Sequence, residues 1–295
     1  MAMKSYFRPV DILSLGFAAL LALLTVVYAR LIPHWHWLLI RYLLLALATA
    51  SAATYVKNMN TWRPVVYLHT FLPVLIVPVI FDSLGDLIPW IRPGVTDDIL
   101  IRIDYAIFGV HPTVWLERLV HPVLTFIMQT AYITYYPMAI VLGAVLAVKK
   151  KEKELDEAIF GIVLCFYLSY LGYILVPAVG PRFALADMQS KGLDAWPIVT
   201  AIQNTLNTLE NTKTDAFPSG HTAVALITLY HAWRSKEKPL SSILLPMVCG
   251  LIFSTVYLRY HYVIDVISGI LLAAATITIA PSVKRMLSRS TDPAR

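Results

Sequence analysis

The sequence predicts an all-α protein, a polytopic bundle of about eight transmembrane helices. Of its 295 residues, 58% are hydrophobic and only 14% are charged, whereas about 25% are charged in ordinary soluble domains. A soluble chain of this length could not bury so much apolar surface. The apolar residues form continuous runs and do not alternate with polar ones, which favours helices over the strands of a membrane barrel.

The predicted spans are apolar runs of about 20 residues, the length that a helix needs to cross the hydrocarbon core of a bilayer. They cover residues 11–29, 37–56, 64–81, 122–148, 157–179, 219–233, 240–258 and 262–281. Short charged or proline-containing segments separate them. The run that contains Pro73 and Pro78 and the short run at 219–233 are the least regular.

The positions of Lys and Arg explain the net charge of +6. With eight spans, 15 of the 24 Lys and Arg residues lie on the side of the two termini, including the run at 149–153. Because cytoplasmic loops carry an excess of these residues, we expect both termini in the cytoplasm and loops 82–121, 180–218 and 259–261 outside. The basic charge therefore requires no nucleic-acid partner, and the apolar composition excludes a disordered chain.

Two outer loops have helical patterns of their own. Asp97 and Asp98 precede apolar residues in 97–108, which favours a helix with an acidic first turn that lies in the membrane interface. In 194–210, apolar residues recur at helical spacing after Asp194, a predicted N-cap. Each segment either packs on the bundle or covers a site near the lipid headgroups.

Polar residues cluster at the outer ends of three spans, at 177–182, 217–222 and 259–265. In the third cluster, His261 and Asp265 are four residues apart and share a helix face. A carboxylate bonded to one imidazole nitrogen leaves the other nitrogen free as a nucleophile or base. Ionisable pairs in membrane helices are costly and therefore functional candidates. A structural His–Asp pair is the alternative.

The second cluster predicts a phosphate-binding helix N-terminus. Ser219 is the expected N-cap, Gly220 would let an anion approach the backbone, and His221 adds an acid that titrates near neutrality. Ordinary helix capping is the alternative. In the first cluster, Arg182 could bind phosphate oxygens in a bidentate manner or anchor to lipid headgroups.

Together the clusters favour phosphoryl transfer through a phosphohistidine on His261. Asp265 would orient the ring, and His221 would protonate the departing alcohol and then activate water or another hydroxyl. Cationic side chains would supply the positive charge, so no metal or cofactor is expected. The candidate residues are the catalytic His221, His261 and Asp265 and the substrate-binding Arg182, Ser219, Gly220 and Arg259.

The ordered motifs resemble those of the type 2 phosphatidic acid phosphatase (PAP2) superfamily. Its Pro-Ser-Gly-His and His-x-x-x-Asp motifs match residues 218–221 and 261–265, after an Arg-bearing motif that ends at Arg182. The resemblance implies the roles of nucleophile for His261, orienting acid for Asp265 and leaving-group acid for His221. It also implies a six-helix core, which two N-terminal helices would precede here.

Two family cations are missing. Leu175 stands seven residues before Arg182, where the first motif has Lys, and Thr255 stands where the third has Arg; Arg259 is expected to replace one of them. These departures, the segment 97–112 and the Tyr-rich stretch 132–136 resemble the branch that includes fungal inositol phosphorylceramide synthase. Its members transfer a phosphorylated headgroup to a lipid hydroxyl, which is the alternative to hydrolysis. No role could be predicted for Asp82 and Asp104.

The expected organisation is two N-terminal transmembrane helices (1–63), a PAP2-like catalytic membrane domain (64–285) and a cytoplasmic tail (286–295). We expect a multi-pass protein, as in a bacterial inner membrane, with an extracytoplasmic active site and a lipid phosphate or phospholipid substrate. Two rival classes are a lipid or anion transporter and an intramembrane serine protease built on Ser219. His69 and His231, which have no acid nearby in sequence, are expected to be packed or bonded to water.

Overall fold

The computed structural model of the protein describes residues 7–58, 63–193 and 211–290, with isolated positions between 194 and 210. Over these residues the chain is helical, with no β-strand and one isolated bridge between Ala178 and Asp215. The predicted all-α class is therefore confirmed. Six helices are long and apolar enough to cross a membrane, and the number rises to eight if each of two bent helix pairs is one span.

The helices are numbered here in chain order. They are α1 (Pro9–Val27), α2 (Trp35–Asn58), α3 (Arg63–Ile91), α4 (Asp97–Phe108), α5 (Pro112–Trp115), α6 (Pro122–Ile133), α7 (Tyr135–Val148), α8 (Glu152–Leu175), α9 (Pro181–Ala184), α10 (Gly220–Arg234), α11 (Lys238–Tyr257) and α12 (Val263–Ser290). The bent pairs are α6 with α7, at 42°, and α4 with the segment Pro112–Leu119, at 63°.

The third helix is longer than predicted. α3 continues to Ile91, so residues 82–91, expected in an outer loop, are helical. Two acidic residues of this extension are paired with α2, where the Arg41 guanidinium lies 3.0 Å from Asp82 and 3.7 Å from Asp86. Leu84, Leu87 and Ile88 are fully buried in this extension, so the apolar face of the helix continues beyond the predicted run.

The helix predicted in the first outer loop is present as α4, with Asp97 and Asp98 in its first turn. Its buried residues are Asp97, Leu100 and Asp104, whereas Ile99 and Ile107 are exposed. Asp97 and Asp104 thus face the protein together with Leu100, whereas Ile99 and Ile107 face outward. The helix predicted at 194–210 lies, apart from isolated positions, outside the described residues.

α8 lies at the centre of the bundle. It has the largest buried share of any candidate span, 67%, and it packs against α1, α3, α7, α10 and α12. α10 packs in turn against α11 and α12. α3 and α7 therefore flank α8, and α10 carries its first residues to the end of the bundle where the polar clusters lie.

A buried ionic cluster joins α1 to α3. Asp11, which is fully buried, lies 3.0 Å from Nε2 of His69 and 3.1 Å from the guanidinium of Arg8. Arg8 also donates to the backbone carbonyl of His69 at 2.7 Å. His69 is buried, as predicted, and its acid comes from a different helix and not from its own stretch of sequence. The cluster attaches the N-terminal helix to the rest of the bundle.

At the end of the bundle opposite the three polar clusters, where α10 ends, two loops meet through one carboxylate. Glu237 accepts hydrogen bonds from the ammonium groups of Lys149 and Lys151, the latter at 2.6 Å. Hydrogen bonding to these two cations lowers the pKa of Glu237. The α7–α8 and α10–α11 loops, predicted to share one side of the membrane, are thus in contact.

Candidate active site

The three polar clusters meet at one end of the bundle, where backbone hydrogen bonds join them pairwise. The donors and acceptors are Ala216 N to Ala178 O (3.0 Å), Ser219 N to Asp265 O (3.0 Å) and Arg182 N to Arg259 O (2.8 Å). Counting Ala216, which directly precedes the second cluster, each cluster is thus bonded to both of the others. A displacement of one cluster would therefore also move the other two clusters.

The His261 ring is held by a backbone carbonyl. Its Nδ1 lies 2.8 Å from the oxygen of Ala216. A carbonyl can only accept, so Nδ1 carries the proton and Nε2 of the neutral ring carries the lone pair. Oδ2 of Asp265 lies 3.5 Å from Nδ1 and accepts from the Tyr262 amide at 2.8 Å. Asp265 is therefore placed to stabilise a positive ring, while Ala216 sets the tautomer.

The His261 side chain is neutral near pH 7. The residue is only 3% exposed, and burial lowers its pKa to about 4, against the opposing effects of the Asp215 carboxylate and the Ala216 carbonyl. Burial disfavours the charged imidazolium because charge is poorly solvated there. A neutral imidazole with a free Nε2 lone pair is the form that can attack phosphorus.

His221 bridges His261 and a tyrosine of α6. Its Nδ1 lies 3.3 Å from Nε2 of His261, and its Nε2 lies 2.9 Å from the hydroxyl of Tyr132. Because Nε2 of His261 can only accept, Nδ1 of His221 donates and its Nε2 accepts from Tyr132. The Tyr-rich stretch was noted in the sequence, but this contact could not be predicted.

The two histidines line a narrow crevice that also contains two cations. The lining residues are Tyr132, Val179, Arg182, Thr212, Lys213, Asp215, Ala216, His221, Tyr260 and His261. The Arg182 guanidinium lies over the Tyr260 and Phe183 rings, 4.8 and 4.6 Å from their centroids, in the range of cation–π contacts. Among the described residues, no group of three or more His, Cys, Asp or Glu is placed to hold a metal ion.

Lys213 was not identified from the sequence as a site residue. The two positions where family cations were missing do not reach the crevice, since Leu175 is exposed at the end of α8 and Thr255 is fully buried in α11. Lys213 instead comes from the loop that precedes α10. A lysine in a loop has no distinguishing pattern, so only the fold could reveal its position.

Arg259, predicted to bind substrate, is not brought into the crevice. Its buried guanidinium pairs with Glu117 at 3.0 Å and donates to the carbonyl of Lys191 at 2.6 Å and to Gln189 at 3.1 Å. Glu117 also accepts from the amide and hydroxyl of Ser190. The Arg259–Glu117 pair therefore organises the loop after α9.

Ser219 and Gly220 support His221 from within the protein. As predicted, Ser219 is the N-cap of α10, and its Oγ accepts from the Thr222 amide at 3.3 Å. The Ser219 hydroxyl is fully buried and bonded to Thr222, which disfavours a serine nucleophile. A Cβ at Gly220 would lie 2.3 Å from the Tyr173 hydroxyl, so packing against α8 requires this glycine.

Asp97 on α4 links the first and third clusters. Its carboxylate accepts from the amides of Val179 and Gly180, both at 2.9 Å, and from the Tyr262 hydroxyl at 2.8 Å. Asp97 is 2% exposed. Three donors compensate for the burial of its charge, so the segment before Arg182 is fixed relative to the segment after His261.

Asp104 lies two turns further along α4 and caps the N-terminus of α12. Its two oxygens accept from the amides of Val263 and Ile264 at 2.9 and 2.8 Å. These amides belong to the first turn of α12 and have no partner within the helix. Asp104 therefore holds the helix that carries Asp265.

An apolar groove lies between α3, α7 and α8 and ends at His221. Its volume is about 450 Å³. Most of its lining is hydrophobic or aromatic, and Asp82, Asn211 and Asp215 also line it. We call this space the apolar groove. Its lining includes Tyr136 and Ile140, which are 42% and 56% exposed, so the groove opens on the outside of the bundle.

The two histidines belong to the Pro-Ser-Gly-His and His-x-x-x-Asp motifs, which follow an Arg-bearing motif and lie at the ends of membrane helices. This arrangement is typical of membrane-embedded phosphatase-type enzymes. The family model described as the PAP2 superfamily matches residues 99–279, more than half of the chain, and the chain belongs to this superfamily. The match is to the superfamily, so the inositol phosphorylceramide synthase-like branch stays a prediction. Comparison with the curated proteins and with the solved structures gives no significant match.

Proposed function

We propose that the protein is a lipid phosphatase or phosphotransferase that works through a phosphohistidine on His261, with its site on the extracytoplasmic face. The observation that carries the proposal is the hydrogen bond from His261 Nδ1 to the Ala216 carbonyl. It leaves the Nε2 lone pair in a crevice that Arg182 and Lys213 also line. Those two cations are suited to the equatorial oxygens of a transferring phosphoryl group.

In the first step, Nε2 of His261 attacks phosphorus and the bond to the leaving alcohol breaks. The phosphoryl group lies between the two imidazoles, which displaces the 3.3 Å contact between them. The anionic substrate favours the imidazolium form of His221, which gives its Nδ1 proton to the leaving oxygen. Asp265, 3.5 Å from Nδ1 of His261, stabilises the charge on the phosphorylated ring.

In the second step, an acceptor hydroxyl attacks the phosphohistidine. The neutral His221 takes the proton from the acceptor, and the phosphorus–nitrogen bond breaks, which returns the lone pair to Nε2 of His261. With water as the acceptor the product is phosphate. The Tyr132 hydroxyl, 2.9 Å from His221 Nε2, keeps the ring oriented throughout.

The apolar groove supports a lipid substrate. It reaches His221 at one end and follows α7 from Tyr135 to Gly143, about 12 Å at about 1.5 Å per residue. A lipid whose headgroup binds in the crevice would have its hydrocarbon chain in this groove. A soluble phosphate ester has little hydrocarbon to place in such a groove. It would therefore not gain the free energy that a lipid chain gains by burying its apolar surface there.

A second candidate is transfer of the phosphorylated headgroup to a lipid hydroxyl, as in the inositol phosphorylceramide synthase-like branch. It is favoured by the polar residues Asp82, Asn211 and Asp215, which share the apolar groove with His221. Carboxylate and amide groups there can orient the hydroxyl of a second substrate. Incubation with phosphatidic acid, with a prenyl diphosphate, and with phosphatidylinositol plus ceramide separates the two reactions, since one releases phosphate and the other forms a new lipid.

The experiment that tests the proposal traps the intermediate. Purified protein is mixed with phosphatidic acid labelled in its phosphate, denatured in alkali, and assayed for label on the protein. We expect labelling that His261→Ala abolishes and that the control His36→Ala, a change at an exposed residue outside the lining of the crevice, leaves intact. An adduct on His261→Ala would contradict the assignment. Lipid movement without any product would favour the transporter.

A further inference from the structure

A second cavity lies between α8, α10 and α12, far from the catalytic crevice. Its volume is about 370 Å³, within the range of about 300–1,000 Å³ for ligand sites. It is reached at the last turn of α10, at Arg234, whereas His221 is in the first turn of the same helix. Their separation of 13 positions along the helix corresponds to about 20 Å. We call this space the basic cavity.

The lining of the basic cavity is positively charged. It contains Arg234, Lys284 and Arg285 and one acid, Glu157, which pairs with Arg234 at 3.3 Å. Lys284 pairs at 2.6 Å with Asp156, outside the lining. Arg285 donates to the Ser282 hydroxyl and has no carboxylate partner among the described residues. Positive charge therefore exceeds negative charge even when both acids are counted.

A buried histidine also lines this cavity. His231 is 7% exposed, and its imidazole has no hydrogen-bond partner within the described part of the chain, whereas its backbone carbonyl accepts from the Ser235 amide. Its Nε2 approaches α8 at Gly161, where a Cβ would lie 2.5 Å away. The ring nitrogens are not fully enclosed by protein, so the imidazole can reach a group in the cavity. An acceptor group held by the cations would satisfy its N–H.

The remaining lining is apolar. It includes Phe160, Ile227, Ile277 and Ala280, which lie along the helices beside the polar groups. The cavity thus combines a cationic end with an apolar side. Two of the helices around it, α8 and α12, are long enough to span a bilayer. A ligand with an anionic head and a hydrocarbon part matches both surfaces.

We propose that the basic cavity binds the phosphate of an anionic phospholipid headgroup, from the leaflet opposite the catalytic crevice. Arg285 and Lys284 contact the phosphate oxygens, His231 donates to one of them, and the first part of an acyl chain lies along the apolar side. Basic pockets between transmembrane helices are suited to anionic headgroups. Free phosphate or a soluble phosphate ester shares the head chemistry but leaves the apolar side unused.

The test measures lipid binding to the purified full-length protein by native mass spectrometry and by thermal unfolding. Phosphatidylglycerol should bind more tightly than phosphatidylcholine and should raise the unfolding temperature of the protein, because it binds only the folded state. Arg285→Gln should weaken the binding of phosphatidylglycerol about fivefold, the effect of one cation near an anionic headgroup. Arg289→Gln is the matched control, since Arg289 is on the same helix but outside the lining.

Three results would overturn the proposal. They are equal binding of the two lipids, equal effects of Arg285→Gln and Arg289→Gln, and displacement of the lipid by inorganic phosphate at millimolar concentration. The last would assign the site to free phosphate. The catalytic variant His261→Ala should bind phosphatidylglycerol as the wild type does, so this result does not depend on the proposed enzymatic activity.

Discussion

Nδ1 of His261 donates to the carbonyl oxygen of Ala216 over 2.8 Å, and Ala216 lies three residues before Ser219. The segment that starts α10 and presents His221 therefore also sets the tautomer of His261. The proposed nucleophile and the proposed leaving-group acid are thus connected through the backbone of one short loop. In the proposed reaction Asp265 would contribute charge, whereas the hydrogen bond to the main chain orients the ring.

We expect Nε2 of His261 to stay unprotonated well below neutral pH. Burial lowers the pKa to about 4, so the neutral form persists above that pH and is lost as the pH falls through it. Solid-state NMR of protein labelled with 15N-histidine, with His261→Gln to identify the signal, would follow the titration. A midpoint at about 6.5, the value of an unperturbed histidine, would contradict this prediction.

Loss of the Asp104 carboxylate should lower kcat more than it raises KM. Asp104→Ala frees the Val263 and Ile264 amides that it now binds and lets the start of α12 shift. A displacement of about 1 Å can cost up to about a hundredfold in rate. Asp104→Asn should retain part of the activity because its amide oxygen still accepts one bond.

The control for Asp104 is Asp98→Asn, on the same helix but exposed, which should leave kcat and KM unchanged. A merely structural role for Asp104 would instead lower the amount of folded protein and leave the kcat of the remainder at the wild-type value. Steady-state kinetics on protein quantified by active-site labelling distinguishes these outcomes.

Lys213→Met should reduce kcat/KM by about thirtyfold, the effect of losing a hydrogen bond to a charged group worth about 2 kcal/mol. The reason is its place in the crevice beside Arg182, where negative charge develops. Lys191→Met, a change in an exposed side chain outside that lining, is the control. Equal kcat/KM values for Lys213→Met and the wild type would exclude Lys213 from phosphate binding.

Asp11→Ala should destabilise the protein by about 3 kcal/mol, the usual effect of removing one partner from a buried ion pair. Arg8 and His69 would lose their carboxylate. The double variant Asp11→Leu with His69→Leu should be less destabilised, because it leaves no buried histidine without its acid. Thermal unfolding in one detergent compares them, and a double variant as unstable as the single one would argue against this account.

The helices, and the pair of histidines that the fold brings together, could be predicted because each depends on a local pattern. Run length and hydropathy define the spans, and the spacing of His261 and Asp265 is visible in the chain. The contact of His261 with Ala216 could not be predicted, since the partner is a main-chain carbonyl 45 residues earlier. Carbonyl groups are the same at every position, so only the fold can select one of them.

The assignments of the cations show the same limit. Arg259 looked suited to phosphate because it lies two residues before His261, but Glu117, from a distant part of the chain, binds its guanidinium. Lys213 had no such signal and yet lines the crevice. Asp104 had no predicted role because the amides that it caps lie on α12. The role of each of these residues depends on a partner or a position that lies far away in the sequence.

The apolar groove bears on how the proposed reaction would have to be measured. A substrate that reaches His221 between α3 and α7 travels within the plane of the bilayer and does not have to enter water. Its effective concentration is then its mole fraction among the lipids, so dilution of the membrane with inert lipid would slow turnover, whereas dilution of the whole suspension would not.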